Sequence, residues 1–161
     1  MLLDVIIEIP YNSFVKYEYD EECKRMRCDR ILNTAMQYPG NYGYIPNTKA
    51  MDGDALDILM ICDYPIYPGT IVNCRIIGVL LMEDEKGIDE KVLVVPSKKV
   101  DPNYEHYNDL KDLPPILTSK IKHFLKEKYT VESLCLPHPF YEYPKTKMEK
   151  KGAVSISRID Y

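Results

Sequence analysis

Asp52, Asp54 and Asp57 stand at positions i, i+2 and i+5, and a second acidic group, Asp84, Glu85 and Asp89, follows further along the chain. Side chains at i and i+2 of an extended segment point to the same side. Asp52 and Asp54 can therefore converge on one point, and a turn through Gly53 and Leu56 can bring Asp57 to it. Carboxylates gathered in this way repel one another strongly unless a cation lies between them. Oxygen ligands on short side chains suit a hard cation, Mg²⁺ or Mn²⁺, whereas zinc favours His or Cys. Magnesium keeps part of its water and takes phosphate oxygens as further ligands, so such a cluster is half of a phosphate site. The plain alternative is a solvated turn and a solvated hairpin tip, which is what most charged loops are. Calcium fits poorly: an EF-hand loop starting at Asp52 needs Gly at its sixth position and Glu at its twelfth, where this chain has Asp57 and Asp63.

The other half of a phosphate site would be cations facing the acids. Lys16, Arg30 and Lys91 each lie within or at the end of a predicted strand. Lys91 follows Asp89 by two residues, so both project to one face if strand geometry reaches back that far. The competing reading for each is an ordinary surface residue.

The elements that must position these residues read mostly as β structure. Val5–Ile9 is a strand, and Val15–Tyr19 with Met26–Leu32 forms a hairpin around the polar stretch 20–24. In its first arm Lys16 and Glu18 share one face, and Tyr17 and Tyr19 the other. Between Tyr38 and Asn47 the density of Pro and Gly predicts an ordered loop carrying Tyr38, Tyr42 and Tyr44. Strands then follow at Ile58–Ile61, Thr70–Met82 and Lys91–Val95, the last two joined by the acidic loop Glu83–Glu90. Asp112 can cap a helix with Pro114 and Pro115 in its first turn, along which Leu117, Ile121, Phe124, Leu125 and Lys128 fall at helical spacing. Several short strands and one packing helix favour a small closed or nearly closed barrel.

The 161 residues carry no repeat or linker, so a single domain is expected over 1–161. Apolar residues make up 45% and charged residues 29%, the balance of a globular protein. The 14 Tyr against 3 Phe suit either strands or a polar pocket walled by rings. A net charge of −4 argues against a general nucleic-acid binder, although bound metal can give a negative protein a local affinity for polyanions. The 5 Cys include no C-x-x-C pair and read as reduced thiols rather than a disulfide frame or zinc site. The apolar N-terminus is interrupted by Asp4, Glu8 and Pro10, which reads as a strand and not a signal peptide, and no stretch is long enough to span a membrane. A soluble cytoplasmic protein is expected.

Taken together, the motifs resemble the family I soluble inorganic pyrophosphatases of the prokaryotic type. The family signature, Asp-x-Asp-[Pro/Glu]-hydrophobic-Asp-hydrophobic, reads here as Asp52-Gly53-Asp54-Ala55-Leu56-Asp57-Ile58. Ile7-Glu8-Ile9-Pro10, Lys16-Tyr17-Glu18, Asp29-Arg30 and the tyrosine loop from Thr34 to Ile45 match in order. So do Tyr64-Pro65-Ile66-Tyr67-Pro68-Gly69, the segment from Asp84 to Lys91, and Asp112-Leu113-Pro114. The likeness runs from about Val5 to Tyr129 and is not found past Pro137. It departs from the family at Ala55, at a shorter segment ahead of the first strand, and at the helix end, where relatives present Tyr then Lys and this chain has Lys128 then Tyr129.

The resemblance implies a mainly β fold, a small five-stranded OB-like closed barrel with flanking helices, assembled as a homohexamer. It implies hydrolysis of pyrophosphate to two phosphates with Mg²⁺ as cofactor. Asp52, Asp57, Asp84 and Asp89 would hold the metal, with Glu8 assisting through water. Asp54 would take the proton from the attacking water, with Tyr42 beside it. Lys16, Arg30, Tyr38, Tyr42 and Lys91 would form the phosphate site, with Lys128 and Tyr129 at the helix end. Two rivals are an OB-type module for single-stranded nucleic acid or sugar, and a metal-dependent phosphatase of other specificity. Clustered carboxylates oppose the first, and the lack of an evident base-binding loop opposes the second.

Overall fold

The computed structural model describes residues 2–50, 53–84, 87–128 and 130–133. Eight strands and one α-helix occur among them: β1 (Leu2–Ile9), β2 (Val15–Asp20), β3 (Arg25–Ile31), β4 (Asn41–Ile45), β5 (Leu56–Met60), β6 (Ile71–Asp84), β7 (Gly87–Pro96), α1 (Pro115–Lys128) and β8 (Thr130–Ser133). Five of them close on themselves in the order β1-β4-β5-β7-β6, and β6 pairs back to β1. All ring pairings are antiparallel except β5–β7, so this is a closed five-stranded mixed barrel, as the OB-like expectation requires. β8 adds to β6 outside the ring, and β2–β3 forms a separate two-stranded sheet.

The barrel closes because its strands alternate. In β1, Leu3, Val5, Ile7 and Ile9 point inward, meeting Ile58, Met60, Cys74, Leu80, Val92 and Val94 in one core. Ile121, Phe124 and Leu125 of α1 are buried and join the same core, with Leu117 packed at its margin, as the helical spacing predicts. Among the described residues no helix is long and apolar enough to cross a membrane. Cys23 and Cys28 are exposed free thiols, and Cys62 and Cys74 are buried ones.

Three expectations change. The segment expected to be an ordered loop contains β4, whose alternating burial makes it a full barrel strand between β1 and β5. The proposed acidic loop 83–90 is mostly ladder: Met82 pairs with Asp89, Glu83 with Ile88 and Asp84 with Gly87. Asp112 does not cap α1. Its carboxylate turns back to accept from the amides of Asn108 (2.9 Å) and Asp109 (3.0 Å), closing a capping box on the 3₁₀ turn Leu110–Asp112. The first turn of α1 instead hangs on the Pro114 carbonyl, which accepts from Leu117 N and Thr118 N.

Gly43 explains how β4 can read as loop and act as strand. A Cβ there would lie 1.9 Å from the Ile6 carbonyl oxygen and 2.9 Å from Ile7 Cα, so β1 and β4 approach through a gap only glycine leaves. Gly43→Ala is expected to cost about 3 kcal/mol, because the obstacle is backbone and cannot rotate away. Urea denaturation checks this, and an unchanged midpoint would show that the seam can widen freely.

Candidate active site

The acidic and basic residues meet where β1, β4, β5 and β7 lie side by side. Asp57 and Lys91 are direct partners in the parallel β5–β7 ladder, and Tyr44 pairs with Asp57 on the other side. The Lys91 ammonium bonds to Asp57 Oδ2, and it reaches Asp89 Oδ1 at 2.7 Å, so Asp89 and Lys91 do share a face. Its side chain is only 5% exposed, whereas those of Asp57 and Asp89 open partly to solvent at 32% and 20%. Burial disfavours the ammonium, but the Asp57 charge and the bonds to both carboxylates outweigh it and hold the Lys91 pKa above its ordinary value.

Tyr42 donates from its hydroxyl to Asp57 Oδ2 at 2.6 Å, and its ring lies 5.8 Å from the Lys91 nitrogen. Behind it stands Tyr38, 1% exposed, its ring 5.6 Å from that of Tyr42 and 4.8 Å from that of Phe124. The Tyr38 ring, expected at the phosphate site, packs in the core against Tyr42 and Phe124.

Glu8 enters through a β-bulge. Ile7 pairs with Gly43 and Ile9 with Tyr42, so Glu8 is the extra residue of β1 opposite β4. Its carboxylate accepts from the Tyr19 amide at 3.0 Å. Burial pushes the Glu8 carboxyl up to about 7 despite that bond, and the nearby charges of Asp57 and Glu18 add to the rise. Lys16, on the separate hairpin, bears on Glu8 with the opposite sign, which places it at the same site.

A second bulge does the same on the hairpin. Lys16 pairs with Arg30 and Tyr17 with Cys28, leaving Asp29 as the extra residue. The Lys16 ammonium bonds Glu18 on its own face, as expected, and lies 3.2 Å from Asp29 Oδ2. Arg30 is largely exposed, its Nε 3.6 Å from the same Asp29 oxygen. Asp29 thus stands between the two cations. Its place in the Asp29-Arg30 motif was the available signal, but its role depends on a bulge that no local pattern reveals.

Asp54 is exposed, one residue after Gly53 at φ 100°, and its carbonyl accepts from Ala50 N at 2.7 Å. Asp84 ends β6 and Lys128 ends α1, but their side chains lie outside the description; Asp52 and Tyr129 lie outside the described residues altogether. Asn41 emerges as the organiser of the surrounding loops. Its Oδ1 accepts from Tyr11 N and Ile66 N, and its Nδ2 donates to Tyr64 O, so a single buried amide ties two loops to β4.

Among the described residues no three His, Cys, Asp or Glu side chains form a ready-made metal cage. The donor set nevertheless fits a hard divalent cation. Asp57 and Asp89 already share one cation, the Lys91 ammonium, and Glu8 is an acid crowded by another acid.

A family model described as inorganic pyrophosphatase matches residues 5–150, reaching beyond Pro137, where the sequence motifs stop. The inorganic pyrophosphatase of Campylobacter jejuni subsp. jejuni is 48% identical over 154 residues, covering 96% of this chain and 87% of that protein. That of Saccharolobus solfataricus is 48% identical over 130 residues, 81% of this chain and 76% of that protein. The crystal structure of inorganic pyrophosphatase from Ehrlichia chaffeensis superposes with a TM-score of 0.77 at 44% identity, covering 82% of this chain and 83% of that one. With the family matched across nearly the whole described fold and close relatives at these identities, this chain belongs to the inorganic pyrophosphatase family.

Proposed function

We propose that this chain hydrolyses inorganic pyrophosphate to two phosphates as a divalent-metal-dependent enzyme that uses Mg²⁺. The observation that carries this reading is the buried Lys91 ammonium held between Asp57 and Asp89 beside Tyr42. Asp52, Asp57, Asp84 and Asp89 would hold the metal, with Glu8 assisting through water. When bound, divalent ions supply charge neutralisation at the phosphates and make water more acidic.

The chain's own residues do the rest. Lys16, Arg30 and Lys91 bind phosphate oxygens and offset the charge that builds on the leaving phosphate. Lys128 and Tyr129 extend that set from the end of α1. Asp54 accepts the proton of the attacking water as its oxygen bonds to one phosphorus and the bridging P–O bond breaks. Tyr42 fixes the direction of the Asp57 carboxylate through its hydroxyl, and Tyr38 holds Tyr42 in place. The chain works as a single domain in the cytoplasm, assembled as a hexamer.

Phosphate release is the test, measured from pyrophosphate, ATP and a simple phosphomonoester, each with Mg²⁺ and with chelator. Release is expected from pyrophosphate with Mg²⁺, falling at least about 10³-fold on chelation, with little from the other two substrates. Equal turnover of the phosphomonoester, or no release while an oligonucleotide is retarded on a gel, would overturn the assignment.

A further inference from the structure

The hairpin carrying Lys16 and Arg30 is not part of the barrel. β2 and β3 form their own sheet, and every residue in them is half-buried or exposed. A lone two-stranded ribbon with no core of its own is marginal in water, so its position must come from what holds it to the barrel. At its root the chain is tied by Leu32 N to Phe14 O (2.8 Å), Tyr38 N to Ser13 O (3.2 Å) and Asn12 N to Tyr38 O (3.1 Å). Further out, the outward-facing amide of Tyr19 donates to Glu8 Oε1 at 3.0 Å. Tyr44 of β4 feels both Glu8 and the hairpin-tip residue Glu21, which places that tip over the same part of the barrel.

We propose that Glu8 is a positioning residue that latches the β2–β3 hairpin to the barrel through the Tyr19 amide and so sets where Lys16 and Arg30 stand relative to the acidic site. The alternation of β1 gives Glu8 this aim: it lies between the inward Ile7 and Ile9, on the outer side of the barrel, at the residue the bulge leaves without a partner in β4. Root and latch bracket the segment Lys16–Glu18, so Lys16 is pinned from both sides. A carboxylate that also serves the metal makes the two events one equilibrium: whatever draws on Glu8 alters the hold on the hairpin, and the reverse. This metal coupling rests on the function proposed above, whereas the latch itself rests on the hydrogen bond alone.

Native-state hydrogen exchange of the metal-free full chain tests it. In Glu8→Ala the Tyr19 amide should exchange at least about tenfold faster, the size of a lost bond to a charged acceptor, while Leu59 and Val94 in the barrel stay unchanged. Glu8→Gln keeps an amide oxygen as acceptor and should retain most of the protection, which also separates the latch from simple loss of charge. In the phosphate assay with saturating Mg²⁺, Glu8→Gln should lower kcat with KM little changed, and Glu8→Ala should raise KM as well. Unchanged Tyr19 exchange in Glu8→Ala would overturn the latch. So would equal acceleration throughout the barrel, or Glu8→Gln behaving as Glu8→Ala. The exchange result stands even if no phosphate is released, so failure of the latch and failure of the enzymatic reading are told apart.

Discussion

Asp54→Asn should fold with an unchanged melting temperature and an unchanged requirement for Mg²⁺, yet lose about 10³-fold in kcat, roughly 4 kcal/mol of transition-state stabilisation. The fold is expected to survive because the turn around Asp54 is held by backbone atoms that Asn retains. Ala50 N donates to the Asp54 carbonyl at 2.7 Å and Gly53 N to the Ala50 carbonyl at 3.2 Å. The chemistry should fail because an amide oxygen is far too weak a base to accept the proton that the attacking water must lose. A carboxylate would be competent there, since bound divalent ions would make that water more acidic. Residual turnover in the variant should climb with pH as hydroxide replaces the missing base, giving a profile steeper on the alkaline side than the parent's. Parent-level turnover across the whole pH range would mean that the proton leaves by another route and that Asp54 has been assigned the wrong task.

Much of this site was legible because its logic is local. Lys91 two residues after Asp89 had to share a face in a strand, and it does. Lys16 and Glu18 likewise share one. The buried stripe of α1 followed from spacing alone. What escaped was set by partners distant in sequence. β4 was hidden because Pro, Gly and Asn dominate its neighbourhood, and only the close approach of β1 shows why Gly43 suits a strand. The acidic loop is the exception, for its cause is local: β6 and β7 carry their hairpin pairing on to Asp84 and Gly87 despite the polar, Gly-containing composition. Asp29 owes its place to a bulge, and a bulge is an offset between two strands, invisible in either one. The packing of Tyr38 on Phe124, more than eighty positions on, is a contact that its motif could not show.

Lys91→Met should cost more than a surface lysine could, in both stability and rate. Methionine roughly matches the apolar stem in volume, so packing among the buried neighbours is preserved and the change isolates the charge. It leaves Asp57 and Asp89 facing each other with their shared cation gone. Breaking a largely buried ion pair on one side costs about 3–5 kcal/mol when the remaining charge is fully enclosed; with both carboxylates partly open to water, about 2 kcal/mol is expected in the metal-free protein. The Lys91 pKa is raised on folding, so its pairing energy is fully present below its ordinary value near 10.4 and is lost only as pH rises through the higher folded value. The Lys91 charge itself does not change between pH 6 and pH 8, but that of Glu8, with its carboxyl at about 7, does. The loss should therefore be full at pH 8 and smaller at pH 6, where protonated Glu8 no longer adds to the repulsion on Asp57. Millimolar Mg²⁺ should restore part of it, because a divalent ion can take over the neutralisation of the two acids. Turnover should not return with stability: a ligand for phosphate is still missing, and kcat/KM should stay about 10³-fold below the parent. Denaturation with and without Mg²⁺, set beside phosphate release, separates the two effects. A variant as stable as the parent without metal would show that the carboxylates do not depend on Lys91, and parent-level kcat/KM would remove it from the phosphate site.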